Sequence, residues 1–148
     1  MKNVCKITDK DYYAFGCFSL SKESTYSGLQ PINNIGASKD GQDAWYNHSI
    51  FRPVAYHFCA AITTNNIIKL NGFDERFSYG IGYEDNYFLD QVKLFGLNIK
   101  IIDNPFVCHQ WHYDFETQNK DSLVRKNREL YKILPKQIKA KHIITQDL

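Results

Sequence analysis

GFDERFSYGIGYEDNYFLDQVKLFG, residues 72–96, decides how the rest of the chain is read. At about 100° per residue, Phe88, Leu89, Val92 and Phe95 fall on one stripe, and Gly96 supplies a helix stop. Asp85 precedes Phe88 and Leu89 by about one turn, so it is expected above that stripe, pointing toward the protein body. Glu84 is rotated toward the rim. The positive end of a helix favours both anions there by roughly 0.3–1 kcal/mol. Acids in a first turn often do no more than start a helix. Here the turn is preceded by Tyr79, Gly80, Gly82 and Tyr83, a flexible aromatic approach that a plain cap does not need. Glu84 and Asp85 are therefore candidates for a base or a metal-side ligand.

Outward from this helix, residues 11–21 alternate and carry aromatics, which predicts a strand. Residues 22–49 are polar and rich in Gly, Asn and Ser, which predicts a long loop. Residues 53–63 read as a buried strand containing His57, taken as structural. Thr63 or Thr64 then caps a short helix ending at Asn71-Gly72. Residues 97–103 and 105–112 read as a strand and a second extended segment. An amphipathic helix is expected over 116–134, with Leu123, Val124, Leu130, Tyr131 and Leu134 inward and Pro135 at its end. That order predicts an α/β fold with a mixed sheet and flanking helices.

The bulk composition narrows the class. At 148 residues the chain is read as a single domain, 1–148, with a sizeable core. A net charge of +2 is too close to balance for nucleic acid to be the main partner. Basic residues gather between Arg125 and Lys141, a solvated face or a patch for association with a membrane surface. Cys5, Cys17, Cys59 and Cys108 show no CxxC spacing, so reduced thiols and a cytoplasmic setting are expected, with Cys59 and Cys108 as core fillers. Asp9-Lys10-Asp11 spells an acid-x-acid triplet but precedes a strand, and a charged turn is the better reading. His109 and His112, three apart on an extended segment, face opposite ways. His109 closing a strand is a candidate ligand for a divalent ion or a hydrogen-bonded structural residue. Trp45 and Tyr46 could stack on a sugar or cover the core edge.

Residues 44–63, NGFDERF (71–77), GIGYEDN (80–86) and FVCHQWH (106–112) together resemble the C-terminal half of a family-2 glycosyltransferase of GT-A fold, galactosyltransferase C-terminal-domain-like. The resemblance covers about residues 11–115. It implies the acceptor-side half of a GT-A-like fold, and transfer of a hexose from a nucleotide-diphosphate sugar to a glycan or other hydroxyl acceptor. Asp85 matches the general base of inverting members. Glu84 would bind the acceptor or order the loop, and Tyr79 to Tyr83 would close over the substrates. Trp45 and Tyr46 would line the acceptor side, and His109 would hold Mn2+ or Mg2+. The family places a nucleotide-binding half of about a hundred residues, with a metal-binding DxD, before this region. The chain is therefore expected to be incomplete, weak or inactive alone, and completed by a missing half or a second copy. The competing expectation is a non-catalytic carbohydrate-binding or interaction module.

Overall fold

The computed structural model describes residues 6–28, 43–113 and 119–145, with side chains described as far as Leu134. Strand β1 (Asp11–Ser19) is the centre of a mixed sheet and is buried almost throughout. Its aromatic and small residues suit a strand covered on both faces. Strand β4 (Asn98–His109) runs parallel to it from end to end, Asn98 opposite Asp11 and His109 opposite Ser19. Two short strands share the other edge, both antiparallel: β2 (Ala44–Asn47) opposite Cys17–Ser19 and β3 (Ala60–Ala61) opposite Tyr13 and Ala14. The fold is α/β with a mixed sheet and flanking helices.

The strand expected over 53–63 is mostly absent. Only Ala60–Ala61 joins the ladder, with Phe15 N–H donating to the Cys59 carbonyl at 2.8 Å. Residues 48–58 instead leave the sheet as an excursion. His48 and Arg52 close its base by exchanging backbone bonds of 3.0 and 3.1 Å. Asn47, fully buried, ties the excursion down. Its Nδ2 donates to the Phe15 carbonyl at 2.8 Å, and its Oδ1 accepts from Ala55 N–H at 3.0 Å. The Tyr12 hydroxyl donates to the Ala55 carbonyl at 3.2 Å. A side chain thus takes up backbone groups in the gap between β2 and β3, bonding the Phe15 carbonyl and the Ala55 N–H. The excursion turns at Ala55, whose φ of 55° is left-handed.

The long loop expected over 22–49 also gains structure. Lys22–Ser27 forms helix α1, capped by Ser21 Oγ accepting from Ser24 N–H at 3.1 Å, and residues 44–47 are β2. The remainder, 29–42, lies outside the described residues. The two extended segments expected at 97–103 and 105–112 are one strand, β4. Its register against β1 jumps from Ile102 opposite Phe15 to Val107 opposite Cys17, so residues between them bulge past Gly16. A Cβ on Gly16 would sit 3.2 Å from Phe106 Cβ and 3.3 Å from Asp103 Cα, so the bulge needs a glycine beneath it.

Helix α2 (Thr64–Lys69) is capped by Thr63. Thr63 in turn donates to Asp9 Oδ1 at 2.7 Å, and Asn66 Nδ2 donates to the Asp9 carbonyl at 2.9 Å. Asp11 pairs with Lys100 at 2.7 Å. Both acids of the triplet therefore have structural partners, as a charged turn requires. Helix α3 (Glu84–Leu94) buries Phe88, Leu89 and Val92, with Tyr87 beside them. Phe95, expected on the stripe, is 41% exposed because the helix ends at Leu94 and the chain turns away.

Helix α4 (Lys120–Thr145) starts later than 116 and runs on through Pro135. A proline removes a single backbone donor, and here the helical path continues beyond it. Leu134 is fully buried, and Leu123, Val124, Leu130 and Tyr131 are half-buried, as the periodicity implies. Residues 114–118, including the expected first turn of that helix, lie outside the described residues.

Three apolar clusters result. Tyr12, Ala14, Ala55, Phe88, Leu89, Val92 and Leu97 fill the space between sheet and α3. Burying a side chain such as Phe88 or Leu89 is worth roughly 1.5–3 kcal/mol. Phe18, Leu20 and Trp45 form a second cluster, and Phe77, Tyr87 and Leu134 a third that clamps α3 to α4. Cys17 is the cysteine in the core. Cys59 is only half-buried and Cys108 exposed, so neither fills the core as expected. Cys5 is outside the described residues. Among the described residues no helix is long and apolar enough to cross a membrane.

Candidate functional site

Helix α3 begins at a bent junction. A 3-10 helix, Glu75–Tyr79, leads into Gly80–Tyr83, and both Gly82 (φ 71°) and Tyr83 (φ 72°) are left-handed. That pair of kinks swings the chain so that Glu84 and Asp85 open the helix, with no side chain capping it. Asp85 faces inward, as its spacing before Phe88 and Leu89 requires. Its Oδ1 lies 2.6 Å from Nδ1 of His57, on the excursion of residues 48–58. Asp85 keeps 24% of its side-chain surface and His57 30%, so the pair is partly sheltered but reachable.

The pair rests on an aromatic bed. Phe73 stacks on Phe88 at 4.5 Å between centroids, and the His57 ring lies 4.7 Å from Phe73 and 5.8 Å from Phe88. Tyr12 meets Phe88 edge-on at 6.1 Å. His57 Nδ1 is buried against Asp85 Oδ1, a contact short enough for a charge-assisted hydrogen bond. The Asp85 carboxylate beside Nδ1 raises the His57 pKa above its ordinary value. Burial opposes this, and the Glu84 charge adds to it. Burial raises the Tyr12 pKa far above that of a free phenol, with the Asp85 charge adding to it, so Tyr12 stays neutral.

Next to the pair, Asn86 Nδ2 donates to the Tyr56 hydroxyl at 2.9 Å. These two side chains stand on the wall of a cavity of about 500 Å3 floored by Val54, Ala55, Leu89, Ile99 and Ile101, with Lys93 at its edge. An apolar floor with a few convergent polar groups is the usual form of a small-molecule site.

The remaining sequence candidates separate. Tyr79 and Tyr83 face α4: Lys126 Nζ lies 5.3 Å from the Tyr79 ring, and Tyr83 packs 5.6 Å from Tyr131 while its hydroxyl accepts from Arg128 Nε at 2.8 Å. Gly80 is pressed against α4, where a Cβ would come within 2.8 Å of the Leu123 carbonyl and closer still to Asn127. Asn127 is fully buried and donates to the carbonyls of Phe77 and Gly82 at 3.0 and 2.8 Å. The glycine loop is thus latched. The flexibility expected from its composition is taken up by close packing.

Trp45 is a core residue, its ring enclosed by Phe18, Phe106 and His48, which leaves it unable to offer a face to a sugar. Tyr46 is half-buried, with the Arg52 guanidinium 4.3 Å over its ring and Phe58 edge-on at 4.6 Å. His109 ends β4, its ring 5.4 Å from His112 and 6.3 Å from Phe58. Its imidazole neighbour is not the oxygen-rich set that Mn2+ or Mg2+ favours. Among the described residues no three His, Cys, Asp or Glu side chains converge.

The contact between His57 and Asp85 is not readable from the sequence. The assignment of His57 to a strand interior followed from the apolar run around it. Pro53, which cannot donate to a ladder, was the available sign that the run leaves the sheet. Compared with protein-family models, curated proteins and solved structures, the chain matches none.

Proposed function

We propose that this chain is a glycosyl-transfer module, the acceptor-side half of a GT-A-like fold, in which Asp85 is the general base. The reading is supported by one observation above others: a carboxylate in the first turn of α3, sheltered but open, is held 2.6 Å from an imidazole nitrogen, while the chain neighbours of the pair, Asn86 and Tyr56, rather than Asp85 and His57 themselves, line a cavity of about 500 Å3. A hydroxyl is a poor nucleophile, and a carboxylate that takes its proton in the transition state typically contributes ~10²–10⁴-fold. The acceptor O–H bond breaks and its proton passes to Asp85. The oxygen electron pair bonds to the anomeric carbon, and the nucleoside diphosphate departs with the pair of the old glycosidic bond. Attack from the face opposite the leaving group inverts the anomeric centre. Asn86 and Tyr56 are placed to hydrogen-bond a sugar hydroxyl, and Glu84 to help order the acceptor.

The test offers the full chain a panel of nucleotide-diphosphate hexoses with alcohol and glycan acceptors, measuring transfer and donor binding separately. Slow inverting transfer, abolished by Asp85→Asn with donor affinity nearly unchanged, supports the reading. Glycan binding that needs no nucleotide and ignores Asp85→Asn would replace it with the carbohydrate-binding alternative. Line broadening at the His109 ring on adding Mn2+ checks the metal role that the resemblance implies.

A further inference from the structure

We infer that His57 is a positioning residue for Asp85: its Nδ1 holds carboxylate Oδ1, so that Oδ2 is the oxygen presented to a bound hydroxyl. This rests on the transfer reading above, which names Asp85 as the base without saying what aims it. Three observations carry it. The Nδ1–Oδ1 distance is 2.6 Å, and Nδ1 is the buried nitrogen of the ring, so no solvent intervenes. The ring is fixed from the side by Phe73 and edge-on by Phe88, which removes its rotational freedom. The backbone that carries it is anchored two residues earlier, where Ala55 bonds to Asn47 and Tyr12. A carboxylate rotates about its last bond when free, and a base must sit within hydrogen-bond reach of its proton to act. One oxygen engaged by a locked ring leaves the other with a defined direction.

The charge state follows from the surroundings. Facing His57 are Asp85 and Glu84 from α3, the uncharged Phe73 from the turn after α2, and the neutral Tyr12 of β1 behind Phe88. Among these described neighbours there is no cation, so the charges facing the ring favour its protonated form, in which the hold on Oδ1 is strongest. As pH rises through its raised midpoint the charge disappears and the hold weakens.

The experiment follows the His57 ring nitrogens and the Asp85 side-chain carbon by NMR across pH in the full chain, alongside nucleoside diphosphate release from uridine-diphosphate hexoses. His57 is expected to titrate above the ordinary ~6.5, with the Asp85 carbon shifting at the same midpoint. In Asp85→Asn the His57 midpoint falls back. His57→Ala is expected to lower kcat by about tenfold or more with donor KM unchanged. His57→Asn, which keeps a neutral donor near the Nδ1 position, recovers much of that loss and lacks the fall in kcat at high pH. A His57 midpoint unmoved by Asp85→Asn, or wild-type kcat and pH profile in His57→Ala, overturns the inference. Transfer that needs Asp85 but is unchanged in His57→Ala would overturn the positioning alone, whereas glycan binding that ignores Asp85→Asn would sink the transfer reading, so the two failures differ.

Discussion

The junction before α3 has two sides built on opposite terms. Toward α4 it is closed: Gly80 lies against the helix, and Asn127 spends both amide hydrogens on loop carbonyls. Toward the excursion it is open: Asp85 and His57 meet as charges and keep about a quarter to a third of their side-chain surfaces, 24% and 30%. Enclosed contacts fix where the helix starts, while the charged pair stays reachable from solvent. Rigidity on one side gives precision to the other.

The sharpest way to break this contrast is on the closed side. Asn127→Ala removes its bond to the Phe77 carbonyl, which Gly80 N–H still serves at 3.2 Å, and its bond to the part-buried Gly82 carbonyl, and should destabilise the fold by roughly 2–3 kcal/mol, measured by denaturant unfolding. Gly80→Ala should cost about 1–3 kcal/mol by overpacking against Asn127 and the Leu123 backbone. Neither change should move the His57 midpoint in the folded protein, and a large movement would show that the two sides are coupled.

Asn47→Ala attacks the support of the open side. It leaves the Phe15 carbonyl and Ala55 N–H without their partner, at about 2–3 kcal/mol, and should loosen the excursion enough to weaken the Asp85 contact. Amide hydrogen exchange at Ala55 reports it directly.

The pH dependence is smaller. Because the folded pKa of His57 is raised, its contribution is fully present below the unfolded value of ~6.5. That contribution is lost as pH rises through the folded midpoint. Stability should therefore decline modestly above ~6.5 in the wild type. His57→Gln should flatten that decline at a cost of about 1 kcal/mol at low pH. Smallest of all, Tyr83→Phe removes an exposed bond to Arg128 and should cost about 0.5 kcal/mol or less while leaving transfer intact.

How much of this was legible depends on what each signal measures. The stripe Phe88–Leu89–Val92 located α3 and aimed Asp85 inward, because helical periodicity reports burial directly. Thr63 marked the start of α2 because a cap is a local bond. The partner of Asp85 was not legible. An apolar run around His57 has the same composition whether it pairs in a sheet or is pinned by Asn47, and the difference lies in contacts 8 to 43 residues apart in sequence. His109 drew attention by closing a strand, yet the imidazole that meets Asp85 comes from the excursion. Asn127 was hidden for a similar reason: a polar residue among Arg and Lys reads as surface until the carbonyls it serves are known.

The excursion has its feet close together. Asn47 stands opposite Cys17, and Cys59 bonds to Phe15, so an eleven-residue segment, 48–58, leaves and re-enters beside neighbouring points of one strand. Residues added at its Ser49–Phe51 tip would lengthen a loop already closed by the His48–Arg52 bridge. Doubling such a loop costs only about 0.6 kcal/mol in closure entropy. The wall over the cavity can therefore be recut by insertion while β1 keeps its register, and the shape of what fits there is free to diverge faster than the frame that holds it.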